Sequence, residues 1–250
     1  MMAGNTSAPG VSVTSRLLSI IASFDETHRS LALTELAQRA DMPVPTAHRL
    51  VAELVAGGAL QRRQDGRYVI GRLLWEAGLL ASVRGRLAQV AEPFVSDVYA
   101  ATLATVHLAI RDGQQVLYLH RLAGHATVPI VSTVGSRLPM HCTGVGKVLL
   151  AYAPRDVQQG VFADLVRVTP YTITRPAVLA AQLTRIVDEG VATTVEEMSL
   201  GACSLAVPIW RAGDNEPAAA LGVVVPTLKR DRQRLLAALH VAARGIGRLL

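Results

Sequence analysis

The chain has 250 residues, of which half are hydrophobic and 18% are charged, and its formal net charge is +6. This composition suits one large or two smaller packed domains and excludes a largely disordered chain. No run reaches the roughly 18 continuous apolar residues that a membrane span needs, and the apolar residues 17–24 lack the flanks of a signal peptide. We therefore predict a soluble, cytoplasmic protein with no membrane partner.

The positive charge is unevenly distributed along the chain. Residues 1–72 contain eight basic and six acidic residues, residues 73–228 contain eleven and twelve, and residues 229–250 contain six and one. Five arginines fall between Arg49 and Arg72. A modest positive balance does not establish nucleic-acid binding, but this concentration indicates where a nucleic-acid surface would lie.

The N-terminal seventy residues predict helices followed by a β-hairpin, from apolar spacing and turn residues. The predicted elements are a flexible tail over residues 1–11, a helix over 13–24, a short helix with Thr34 as its N-cap, a turn over 41–43, a third helix with Pro45 in its first turn and Gly57-Gly58 at its end, and a hairpin that turns at Asp65-Gly66. A basic hairpin directly after the third helix is typical of a winged helix-turn-helix, here over residues 12–71.

This interpretation predicts which residues contact double-stranded DNA. Thr46 and Arg49 lie three residues apart on one helical face, and Arg is the commonest reader of guanine. The alternative is that both are solvated surface residues, and His48 could simply pack. Basic wing residues would contact phosphates, or be only a solvated charge run. The candidate DNA-binding residues are Thr34, Val44, Pro45, Thr46, His48, Arg49, Arg62, Arg63 and Arg67.

Residues 72–250 predict a linker helix and then a second domain. The linker helix covers 72–89, and the domain covers 90–250. Its predicted helices span residues 90–101, 146–152, 176–189 and 231 onward, and its predicted strands span 105–110, 116–119, 128–133, 204–210 and 219–225. Intermixed helices and strands with an evident hairpin predict an α+β fold with a mostly antiparallel sheet.

Several motifs in this order resemble the IclR family of bacterial transcription regulators. They are Thr34-Glu35-Leu36-Ala37, Pro45-Thr46-Ala47-His48-Arg49-Leu50, Asp65 to Gly71, His141-Cys142-Thr143-Gly144-Val145-Gly146-Lys147, Tyr171 to Thr174, Val195-Glu196-Glu197, and Gly201 to Pro208. The resemblance implies a GAF-like C-terminal domain that binds a small metabolite, an operator near the regulated genes, and self-association as a dimer or a dimer of dimers.

The resemblance also implies where an effector binds. Backbone N–H groups at a helix start favour anions, which selects Thr143, Gly144 and Val145. The same segment is not a phosphate-binding loop, because that motif requires other residues around its glycine and lysine. The opposite wall would contain Thr194, Ser204, Gly222 and Val224. Some family members have more polar residues there, so we predict a larger, partly apolar or aromatic carboxylate as the effector.

Other functions are less well supported by the residues. His107, His120, His125 and His141 with Cys142 and Cys203 lack the paired spacing of zinc sites, so we predict no metal and no cofactor. Ser204 lacks the glycines of a nucleophile elbow, which argues against an enzyme. Both cysteines are predicted to be small buried side chains. A winged helix used only for protein docking stays an alternative, which salt-dependent DNA affinity would distinguish.

Overall fold

A computed structural model describes residues 12–25, 27–80, 86–124, 131–229 and 231–250. The chain divides into two compact units, Met1–Ala81 and Ser82–Leu250. The predicted tail over residues 1–11 lies outside the described residues. Each unit has its own buried core.

The N-terminal unit has the predicted order of three helices and a hairpin, followed by a fourth helix. Its elements are α1 (Val13–Ala22), α2 (Leu33–Arg39), α3 (Val44–Ala56), β1 (Leu60–Arg62), β2 (Tyr68–Ile70) and α4 (Arg72–Leu79). Apolar positions three and four apart bury one face of each of the first three helices around Ile20, Leu36 and Leu50. This arrangement is a winged helix-turn-helix.

The start of α2 differs from the prediction. Thr34 is not the N-cap, because the helix begins at Leu33 and the cap position is Ala32. The Glu35 carboxylate accepts a hydrogen bond from the Ala32 backbone N–H at 2.7 Å. A carboxylate that reaches back in this way satisfies an N–H group at the helix start, so no hydroxyl is needed at the cap.

The wing is joined to the chain before α2 by backbone hydrogen bonds. Leu31 and Tyr68 exchange two of them, at 3.0 and 2.8 Å. The hairpin turns through Gly66, whose φ of 79° lies in the left-handed region that glycine adopts without strain. Gly71 follows the wing at a point where the backbone passes close to Gly58. A Cβ at position 71 would overlap the Gly58 carbonyl oxygen.

The C-terminal unit is α+β with an antiparallel sheet, as predicted. Its strands are β3 (Thr105–Asp112), β4 (Gln115–Leu122), β5 (Arg137–Pro139), β6 (Ala192–Val195), β7 (Cys203–Ile209) and β8 (Ala219–Val225), in the order β5-β4-β3-β8-β7-β6. Its helices are α5 (Arg86–Thr102), α6 (Gly144–Ala151), α7 (Arg155–Ala163), α8 (Pro176–Glu189) and α9 (Arg232–Leu249).

Helices cover both faces of this sheet. On one face α5 and α9 pack over strand residues such as Val106, Leu108 and Leu221. On the other face α6 and α8 pack over alternate residues such as Ala109 and Ala220. Successive strand residues point to opposite faces, so the two cores share the same strands. The pocket described below lies on the α6 face.

Some element boundaries differ from those predicted. Helix α4 ends at Leu79 and α5 begins at Arg86, with residues 81–85 outside the described residues, where one helix over 72–89 was expected. Residues 131–133 of the predicted strand 128–133 are irregular, and 128–130 lie outside the described residues. Helix α6 begins two residues early, because Thr143 caps it through its hydroxyl. The elements β5, α7 and β6 were not predicted.

Candidate functional site

Helix α3 exposes the residues that the sequence assigned to DNA. Val44, Pro45, His48 and Arg49 are exposed, and Thr46 is partly exposed, whereas Ala47, Leu50, Val51 and Leu54 are buried in the core. The Arg49 guanidinium donates to Glu53 Oε1 at 2.7 Å, one helical turn away. Both side chains of this pair are more than half exposed, so the pair is weak and a phosphate or base can compete with it.

The wing exposes two further arginines. The Arg62 guanidinium lies 5.8 Å from the centroid of the Tyr68 ring, within the range of a cation–π contact. The Arg63 guanidinium lies 3.8 Å from an Asp65 carboxylate oxygen in the turn. Both arginines are exposed at the tip of the hairpin and free to reorient toward a phosphate backbone.

Arg67 has a different environment from the other wing arginines. Its guanidinium donates to Glu35 Oε2 at 2.7 Å and to the Ser30 carbonyl oxygen at 2.7 Å. These contacts join the wing to the start of α2. The neighbouring Thr34 is exposed on that helix. Arg67 therefore holds the wing in place, whatever else it contacts.

In the C-terminal unit, all seven residues predicted for the effector line one pocket. They are Thr143, Gly144, Val145, Thr194, Ser204, Gly222 and Val224. The pocket lies between the start of α6 and the strands β3, β6, β7 and β8, and its cavity volume is about 60 Å³.

One end of the pocket is built around the first turn of α6. The Thr143 hydroxyl accepts a hydrogen bond from the Gly146 N–H at 3.2 Å and so caps the helix. Gly144 packs against Ser204 so closely that a Cβ would overlap the Ser204 Oγ. Ser204 and Thr194 are paired across β6 and β7, and their hydroxyl oxygens are 2.5 Å apart. Helix N–H groups and neutral hydroxyls therefore meet here, an environment that suits an anion.

The floor of the pocket contains residues that the sequence did not assign to it. His107 on β3 and Tyr118 on β4 pack edge to face with ring centroids 5.1 Å apart. His107 Nε2 lies 2.8 Å from Ser132 Oγ. The sequence contained one signal that could have assigned His107 to the pocket. Side chains alternate along β3, and since Val106 and Leu108 are buried on the opposite face, His107 points to the face covered by α6.

Burial makes these floor residues neutral. Desolvation, with a contribution from the nearby Arg121 charge, lowers the pKa of His107 to about 3. Burial likewise raises the pKa of Tyr118, so its hydroxyl keeps its proton. Among the residues that the structure describes, the pocket lining then carries no charged side chain. A bound carboxylate would be held by N–H and O–H dipoles rather than by a counter-ion.

Both cysteines are buried beside this pocket. Burial raises the pKa of the Cys142 thiol to about 12, and its Sγ lies 3.5 Å from Met198 Sδ. Within the described part of the chain, no three His, Cys, Asp or Glu residues are grouped as metal ligands would be. His125 lies outside that part. None of the described helices is long and apolar enough to span a membrane.

The winged helix with its exposed basic surface, and the α+β domain with its pocket, define a DNA-binding transcription regulator. Two family models match the chain: "Bacterial transcriptional regulator IclR C-terminal" over residues 81–248 and "IclR helix-turn-helix domain" over residues 13–64. The chain belongs to the IclR family of transcriptional regulators.

Similar proteins agree with this assignment. The chain is 34% identical to the HTH-type transcriptional regulator BhcR of Paracoccus denitrificans over 83% of this chain and 75% of that protein. It is 31% identical to KdgR of Escherichia coli over 87% and 85%. It resembles a solved IclR homologue from Microbacterium hydrocarbonoxydans, complexed with 4-hydroxybenzoate, at 33% identity and a TM-score of 0.89 over 96% and 99% of the chains. The family to which the chain belongs is one of transcriptional regulators and not of enzymes.

Proposed function

We propose that this regulator binds operator DNA through α3 and the wing, and that a small aromatic carboxylate bound in the pocket modulates that binding. It acts as a dimer or a dimer of dimers, on half-sites about 10 base pairs apart or a multiple of that spacing. The observation that carries the proposal is the uncharged, largely apolar pocket that meets the start of α6. The structural relative complexed with 4-hydroxybenzoate supports the same ligand class.

The roles of the DNA-binding residues follow from their exposure. Thr46, His48 and Arg49 read base edges in the major groove, while Val44 and Pro45 contact the groove wall at the helix start. Arg62 and Arg63 contact phosphates and position the domain without reading sequence. Arg67 supports the wing through Glu35 and Ser30, and Thr34 lies beside that junction.

The effector acts by binding one of two arrangements of the assembled regulator more tightly. By linkage, the effector and the operator change each other's affinity by the same factor. A factor below one gives a repressor that releases DNA when the acid is present, and a factor above one gives the reverse response. The measured factor therefore assigns the direction of regulation.

The first experiment titrates the protein with DNA from its own upstream intergenic region at two salt concentrations. Each titration is repeated with 4-hydroxybenzoate, benzoate, pyruvate and glyoxylate. Arg63→Ala should lower the affinity for all sequences and reduce the salt slope by about one. Arg155→Ala is the control, since it removes the same charge from an exposed site in the other unit. Salt-independent binding to the region would favour the docking alternative.

A second variant tests the pocket. Val224→Phe places a ring in the pocket and should abolish the response to aromatic acids while leaving DNA affinity unchanged. Val195→Phe makes the same change at an exposed position on β6 outside the pocket, and should respond as the wild type does. Tight binding of pyruvate or glyoxylate with no binding of aromatic acids would overturn the proposed effector class.

A further inference from the structure

A fully buried lysine lies one turn behind the pocket end of α6. Lys147 Nζ lies 2.5 and 2.7 Å from the two carboxylate oxygens of Glu197, and 2.7 Å from Gln182 Oε1 on α8. An ammonium has three N–H donors, and these three acceptors use all of them. Lys147 therefore has no donor left for a ligand, and it is not among the residues that line the pocket.

Glu197 belongs to a short segment that forms part of the pocket wall. Strand β6 ends at Val195, and the backbone turns inward at Glu196, which has a left-handed φ of 56°. Met198 and Ser199 then line the pocket. We refer to residues 196–200 as the wall segment.

The wall segment is fixed at both of its faces. On one side, the Glu196 and Glu197 carbonyl oxygens each accept a hydrogen bond at 2.7 Å, from the hydroxyls of the buried Thr169 and Thr172 respectively. On the other side, the Glu197 carboxylate binds Lys147. A non-glycine residue with a positive φ is strained, so these contacts hold a conformation that the backbone alone would not favour.

The other end of the ion pair belongs to the effector end of the pocket. The Lys147 backbone N–H donates to the Thr143 carbonyl oxygen at 2.9 Å, so Lys147 lies on the first turn formed by Thr143, Gly144 and Val145. The contact between Cys142 and Met198 joins the same two walls near the pocket. The buried pair of Lys147 and Glu197 thus connects the start of α6 to the wall segment without lining the pocket itself.

Stability alone is a poor reason for such a pair. Desolvation of two charges offsets much of their attraction, and apolar residues of similar volume are often as stabilising. Burial accordingly lowers the pKa of Lys147, and the Glu197 charge opposes that shift. A pair of this kind contributes a defined geometry, because its hydrogen bonds are satisfied in only one arrangement of the two walls.

We propose that Lys147 and Glu197 are positioning residues that hold the wall segment against the start of α6 and thereby set the affinity of the pocket for its effector. The part concerning affinity rests on the proposed function. The part concerning the wall segment concerns the ligand-free protein and is measurable without any effector.

The test compares the full-length wild type with Lys147→Met/Glu197→Gln, which neutralises both charges together. Backbone hydrogen exchange without ligand should be about tenfold faster or more at the hydrogen-bonded amides of Glu196, Gly201 and Ala202, with the amide of Leu108 unchanged as the reference for global unfolding. The affinity for 4-hydroxybenzoate, by calorimetry, should fall about tenfold while DNA affinity is retained. Arg111→Met/Glu216→Gln removes a partly exposed pair of the same domain as the control.

The outcomes separate the two claims. Wild-type exchange at the amides of Glu196, Gly201 and Ala202 in the double variant would overturn the positioning of the wall segment, and wild-type affinity for the acid would overturn its effect on the pocket. If the wild type binds none of the acids, the proposed effector class fails, and the exchange rates alone then support or overturn the positioning role. If the double variant does not fold, Glu197→Asp, which keeps the charge and shortens the side chain, carries the same comparison.

Discussion

Replacement of His107 by Gln should change how the stability of the C-terminal domain depends on pH. The pKa of His107 is about 3 in the folded chain, against an ordinary value of 6.5 that applies when the chain is unfolded. Below about pH 6.5, His107 therefore binds a proton in the unfolded state but not in the folded state. The free energy of unfolding consequently falls as the pH falls. Between about pH 7 and about pH 5 this single group removes about 2 kcal/mol from the wild type.

The Gln variant lacks this proton-linked loss. Its free energy of unfolding should fall by about 2 kcal/mol less than that of the wild type over the same interval. Urea unfolding, followed by Trp210 fluorescence in a Trp75→Phe background, reports this domain alone, because the chain has two tryptophans and only Trp210 lies in it. Carboxylates that titrate in both proteins contribute equally to the two free energies of unfolding, so their contribution cancels when the variant is compared with the wild type.

A pocket substitution that removes no titratable group provides the control. Val224→Ala shortens another side chain of the same pocket, and its stability curve should run parallel to the wild-type curve. Parallel curves for His107→Gln as well would show that the His107 imidazole takes up its proton in the folded state. That result would refute the neutral pocket floor on which the proposed recognition of a carboxylate by dipoles depends.

Three further outcomes are expected. Gly71→Ala should destabilise the N-terminal unit by about 1–3 kcal/mol in thermal unfolding, because its Cβ would overlap the Gly58 carbonyl, whereas Gly78→Ala on α4 meets no atom within 4 Å and should be neutral or slightly stabilising. Since burial raises the pKa of the Cys142 thiol to about 12, thiol reagents should label it at pH 8 only after denaturation, and rapid labelling of the native protein would contradict its burial. Leu108→Ala, at a fully buried position in β3, should cost about 2–5 kcal/mol in urea unfolding, and a loss below 1 kcal/mol would show that the core collapses around the truncation.

The winged helix was largely predictable from the sequence because its signals are local. Apolar spacing defines its helices, and Asp65-Gly66 defines the hairpin turn. The cap of α2 was not predictable in this way. Thr34 has the residue type of a cap, but the Glu35 carboxylate and the close passage of the wing determine where the helix begins.

The family resemblance predicted the seven pocket residues at the start of α6 and on β6, β7 and β8. It did not predict the residues of the pocket floor, His107 and Tyr118. Thr143 and Ser204 are far apart in sequence and meet because α6 packs on β7. His107 and Tyr118 come together through the pairing of β3 with β4, in which the register shifts between Leu108 and Ala109. A register shift of this kind has no local signature, and it decides which side chains share a face.

Side chains alternate between the two faces of the sheet along β3, β7 and β8, so each strand contributes to the pocket on one face and to the core on the other. Ser204, Gly222 and Val224 line the cavity, while Leu108, Val207 and Leu221 of the same strands belong to the core beneath α5 and α9 and are not part of the lining. Substitutions at the cavity-lining positions of this sheet can therefore reshape the cavity while the core on the opposite face stays as it is.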